Sequence, residues 1–106
     1  MKIIEKISDK IADEIRDAKV YAKMAIEYRD EHPDLANTLY DISQEEIDHM
    51  NMLHDAVKNL IEEYRRTNGD PPAAMLAIYE YMHKQEIKKA NKAKAIQAMY
   101  KENNQE

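Results

Sequence analysis

The sequence predicts an all-α domain of three long antiparallel helices, and three observations carry that expectation. Gly occurs once, Pro three times and Phe, Trp and Cys not at all, while Ala, Ile, Leu, Met, Glu and Lys fill most of the 106 positions. These are mostly helix formers, whose side chains lose little freedom in a helix. Two dense turn signals, Glu31-His32-Pro33-Asp34 and Asn68-Gly69-Asp70-Pro71-Pro72, place helices at about 3–31, 33–66 and 71–102 of a single domain, 1–106. Apolar residues recur between the turns at spacings of three, four and seven, as on a helix that buries one face. Both breaks are short, so consecutive helices run antiparallel.

In the first segment the inward residues are Ile4, Ile7, Ile11, Ala18, Ala22 and Ala25. Pro33 suits the first position of the second helix, because the N–H it lacks would have no partner there. The second helix carries Leu35, Leu39, Ile42, Leu53, Ala56 and Leu60 as its repeat, with a flanking row of Ile47, Met50, Val57 and Ile61. Gly69 can adopt the left-handed conformation that ends this helix, Asp70 can cap the next, and Pro71 can open it. The third segment is less sharply phased: Leu76, Tyr79, Met82, Ile87, Ala90, Ala93, Ile96 and Tyr100 leave its stripe ambiguous by about one position. Lys101 to Glu106 are expected to fray.

Three ionisable residues stand in slots these stripes assign to the core. The second-helix repeat runs through positions 46 and 49, which are Glu46 and His49, and Glu14 falls in the apolar arc of the first segment. Counted from the first turn at ~1.5 Å per residue, all three sit at about the same height and face one another. Unpaired carboxylates in a core cost several kcal/mol, roughly, so the group needs partners, a metal or altered protonation. Without cysteine, any metal is held by carboxylate and imidazole, a donor set suited to iron, manganese or zinc.

Glu opposite Glu-x-x-His is half of the ligand set of carboxylate-bridged di-metal bundles. Over residues 3–66 the chain resembles the ferritin-like superfamily, specifically the rubrerythrin and encapsulated-ferritin types. The resemblance lies in Asp13-Glu14-Ile15-Arg16-Asp17-Ala18-Lys19-Val20-Tyr21-Ala22 and in Glu46-Ile47-Asp48-His49. It implies metal ligation, by iron in particular, at Glu14, Glu46 and His49, with Fe(II) oxidation or peroxide reduction as the chemistry. The third segment departs from the ordinary family pattern, which draws further ligands from a third and a fourth helix. Glu86-Ile87-Lys88-Lys89-Ala90 looks like a second copy of Glu14-Ile15-Arg16-Asp17-Ala18, and Glu80-Tyr81-Met82-His83 is a second Glu-x-x-His, so Glu80, His83 and Glu86 are secondary candidates. Glu86 is expected nearest the first site, with Glu80 and His83 on a solvated face. Encapsulated ferritins complete half-sites by dimerisation, which implies a homodimer or higher oligomer here, with two metal ions shared between copies.

Other readings stay open. Glu46 and His49 can pair with each other or with Arg16 and Lys19 in a solvated seam. His54 and Glu45 adjoin the site in a supporting role at most, Tyr21 is the tyrosine nearest it, and His32 belongs to the turn. The net charge of −5 disfavours nucleic acid, although Lys84, Lys88, Lys89, Lys92 and Lys94 make one side of the third helix basic. No apolar run approaches the ~20 residues of a membrane span, and a cytoplasmic protein without a targeting segment is expected. The competing function is a metal-free helical interaction or scaffold protein that works through an acidic face on the first two helices and a basic one on the third.

Overall fold

Alternating four-residue and three-residue steps account for most of the burial along the helices, with Leu39 buried beside them. The structure, a computed structural model, describes residues 1–104 as three helices, α1 (Lys2–Tyr28), α2 (Pro33–Asn68) and α3 (Ala73–Asn104). On α1 the buried residues are Ile4, Ser8, Ile11, Ile15, Ala18, Ala22 and Ala25. On α2 the same alternation runs Ala36, Tyr40, Ser43, Ile47, Met50, His54 and Val57, all buried except the half-buried His54. On α3 it runs through half-buried Leu76, Tyr79, His83 and Glu86 to buried Ala90, Ala93, Gln97 and Tyr100. An average step of 3.5 residues keeps one stripe facing its neighbours along the whole length of a helix, as in a coiled coil.

Helix boundaries follow the turn chemistry. The His32 carbonyl accepts the Ala36 N–H at 2.9 Å with Pro33 opening α2, and Gly69, at φ 78°, ends α2 by donating its N–H to the Arg65 carbonyl at 3.1 Å. α1 stops at Tyr28 rather than 31, and the His32 N–H closes one last turn on the Tyr28 carbonyl at 2.8 Å before Pro33. α3 begins at Ala73 rather than 71. The Pro72 carbonyl takes the Met75 and Leu76 N–H groups, while Asp70 lies beside Arg65 at 3.7 Å instead of capping. The expected fraying from Lys101 is not seen through Asn104, and Gln105 and Glu106 lie outside the described residues.

The bundle is elongated, 56 × 19 × 18 Å, with α1 packed along both α2 and α3, while the α2 and α3 backbones approach each other closely at few points and meet through side chains. Small residues make that arrangement possible. Ala18, Ala22 and Ala25 are fully buried and let the backbones approach, so that the Ser43 hydroxyl reaches the Ala18 carbonyl at 2.5 Å. Gln97 Nε2 then donates to Ser43 Oγ at 2.8 Å, which ties all three helices through one buried hydroxyl. Above this layer the Tyr40 and Tyr100 rings pack 4.9 Å apart, and the Tyr100 hydroxyl donates to Asn37 Oδ1.

The row singled out on α2 is displaced by about one position. Ile47, Met50 and Val57, expected as a flanking row, form the buried stripe, whereas of the expected repeat only Leu39 is buried, Leu35 is exposed, and Ile42, Leu53, Ala56 and Leu60 are half-buried. On α3 likewise, Ile87 is exposed because Glu86 occupies the inward slot beside it.

Ser43→Ala should cost about 1–3 kcal/mol, since Gln97 is left buried without its acceptor. Urea unfolding checks this as a lower midpoint at unchanged slope, and adding Gln97→Leu is expected to recover part of the loss.

Candidate metal centre

Glu14 on α1 and Glu46 and His49 on α2 converge as their heights predict. His49 Nδ1 lies 3.5 Å from Glu14 Oε2 and 3.8 Å from Glu46 Oε2. One donor atom from each of the three lies within 4.8 Å of the others. Two donors bound to one ion at ~2.1 Å are at most about 4.2 Å apart, so small side-chain rotations suffice for a shared cation. The donor set, two carboxylates and one imidazole, fits iron, manganese or zinc. Arg16 and Lys19 do not join the group: Arg16 pairs instead with Asp13 at 2.8 Å.

The site is not in the interior, however. The side chains of Glu14 and Glu46 are 18% exposed and that of His49 is 52% exposed. The reason is the displaced α2 stripe, which turns positions 46 and 49 to the edge of the α1–α2 contact. At 100° per residue, Ile3, Ile7, Glu14, Tyr21 and Tyr28 share the side of α1 opposite the one that meets α3. Leu35, Ile42, Glu46, His49, Leu53 and Leu60 share the corresponding side of α2. None of these eleven is buried, and Ile3, Leu35 and His49 are fully in the exposed class. The three donors thus sit within a long, partly apolar flank of the hairpin, with Tyr21 on the same side.

A second cluster lies within the stripes themselves. His54 on α2 and His83 and Glu86 on α3 bring one donor atom each within 4.8 Å of the others. The imidazoles of His54 and His83 stack at 4.1 Å, 13° from parallel, across the cleft between α2 and α3. Burial pushes the His54 pKa down, with His83 and then Lys58 acting in the same direction against Asp55. Burial likewise pushes the Glu86 carboxyl up, opposed by Lys89.

Glu86 therefore does not approach the first site, and His83 is half-buried rather than on a solvated face. Glu80 is exposed and pairs with Lys84 at 3.4 Å, and Glu45 is exposed as well. His54, expected in no more than a supporting role beside Glu46, faces the third helix instead. A usable signal was present: stepping back from Tyr100, Gln97, Ala93 and Ala90 by threes and fours lands on Glu86 and His83. Polar residues in those slots interrupt the apolar periodicity that marks the register elsewhere.

No protein-family model, no curated protein and no solved structure matches the chain.

In chelator-treated protein, Glu86→Gln is expected to raise the unfolding temperature at pH 7, because the half-buried carboxylate is replaced by a neutral group of the same shape. Glu86 binds protons more tightly folded than unfolded, so its penalty is present above its raised pKa and disappears as pH falls through it. Thermal melts from pH 7 to pH 4 should show the advantage of the variant fading on that descent. His54 and His83 face it, and Lys89 on its own helix opposes the shift.

Proposed function

We propose that this chain is a ferritin-like metal-binding protein whose di-metal centre forms when two copies pair through the outer flank of the α1–α2 hairpin. The observation that carries this reading is the convergence of Glu14 and Glu46 on His49 within a flank that one chain leaves half-exposed. A two-fold axis beside that flank would present four carboxylates and two imidazoles, the complement of a carboxylate-bridged pair of ions. The same pairing would cover Ile3, Leu35 and Ile42 and shield the acidic site from water, which strengthens its hold on cations.

Iron is the metal we assign first, with manganese or zinc as substitutes. Iron held by Glu14, Glu46 and His49 would supply one-electron redox chemistry there, suited to Fe(II) oxidation or peroxide reduction. Glu14 and Glu46 would balance the positive charge as ligands, and His49 would donate nitrogen. Ile42 and Leu53, next to Glu46 and His49 on the flank, would exclude bulk solvent.

A metal-free interaction protein is the rival, favoured by the exposed apolar side chains, which call for a partner whether or not metal binds. Metal content and mass in solution separate the two. Protein purified without chelator and loaded with Fe(II) is expected to be dimeric or larger and to hold about one iron per chain. Glu46→Ala and His49→Ala should each lose that iron while keeping helicity by circular dichroism. Ile42→Lys, one turn from Glu46, should shift the protein toward monomer and weaken iron binding together. An oligomer that takes up no iron supports the rival.

A further inference from the structure

We infer that the seam between α2 and α3 holds a second, intrachain site for a borderline divalent cation such as Zn²⁺, with His54, His83 and Glu86 as its ligands. The site is independent of the one above. His49 and His54 are five residues apart on α2, but His54 stands within the stripe that faces the other helices while His49 is turned out to its edge, and no second copy is needed to bring the three ligands together.

Two polar layers interrupt the apolar stripes, and they are treated differently. In the upper one Gln97 donates to Ser43 and Ser43 donates to Ala18, so the polar groups form a closed chain. In the lower one Ser8, His54, His83 and Glu86 line a common cleft of about 420 Å³, and His83 Nδ1 is buried with no hydrogen-bond partner among the described residues. Buried polar atoms are nearly always satisfied, and an orphan calls for an unseen partner. Hydrogen bonding within the layer does not supply one.

The chemistry of the layer selects a cation. Two imidazoles and one carboxylate form a three-ligand set known for zinc, with a fourth tetrahedral position left for water or a ligand from solution. Relative to the Glu-Glu-His site, the extra nitrogen shifts preference from hard ions toward zinc, nickel or copper. Imidazole binds metal in its neutral form, which burial of His54 favours. Stacked rings cannot point both nitrogens at one ion, so binding requires the two rings to rotate apart within the cleft. Because the ligands come from α2 and α3, the cation would join the two helices whose backbones approach each other least.

The test is a zinc titration of chelator-stripped protein carrying Glu46→Ala and His49→Ala, which removes the first site. One Zn²⁺ per chain is expected by calorimetry, with a zinc-dependent rise in unfolding temperature. Co²⁺ in place of zinc should give the intense visible bands of a four-coordinate ion. Adding His83→Ala, or in a separate protein His54→Gln, should weaken binding at least about tenfold, since losing even a partner that only orients a ligand costs that much. Circular dichroism confirms that each variant stays helical, and His54→Gln retains side-chain bulk if His83→Ala does not fold. Absence of zinc binding in the Glu46→Ala/His49→Ala protein, or undiminished binding in a folded His54 or His83 variant, overturns the proposal. Failure of the unsubstituted protein to hold iron, with zinc still bound by the Glu46→Ala/His49→Ala protein, would instead count against the first site alone.

Discussion

Each helix must bury a stripe that advances by alternating steps of three and four, and the remainder of the structure depends on that constraint. Apolar area removed from water supplies the main driving force, roughly 25 cal/mol per Å². The stripe decides which residues contribute to it. Small residues on α1 then set the spacing. Ala18, Ala22 and Ala25 admit α2 closely enough for Ser43 to bond a backbone carbonyl, and Gln97 brings α3 to the same point.

That geometry leaves ionisable residues half-buried or exposed in two places. α1 is the shared partner of both other helices, so α2 and α3 each have a side with little to pack against. One place is the outer flank of the hairpin, where Glu14, Glu46 and His49 meet beside Ile42 and Leu53. The other is the cleft between α2 and α3, where His54, His83 and Glu86 meet beside Val57 and Tyr79. Donor clusters survive at these positions because partial solvation moderates the cost of a charge that a closed core would make prohibitive.

Charge is unevenly placed around these sites. Arg16, Lys19, Lys89 and Lys92 line a groove between α1 and α3, although the chain as a whole carries −5. Cations are thus drawn away from the Glu14 and Glu46 side, and Arg16 is further occupied by Asp13. The acidic flank remains without a close lysine or arginine pair to Glu14 or Glu46 among the described residues, which leaves its carboxylates available to a metal.

The number of helices, their order and both turns were legible from the chain alone, because Pro33 and Gly69 act through local backbone geometry that no distant contact overrides. The meeting of Glu14 with Glu46 and His49 was legible too, since an antiparallel hairpin converts distance from the turn directly into height. Rotation about each helix axis was not. A shift of one position in the stripe costs little in local propensity, and only simultaneous packing of three helices selected Ile47, Met50 and Val57 for the core and turned His49 outward. The same selection brought His54 against His83 and Glu86. Residues separated by a full helix hairpin share a site only once tertiary contacts have set the phase of both helices.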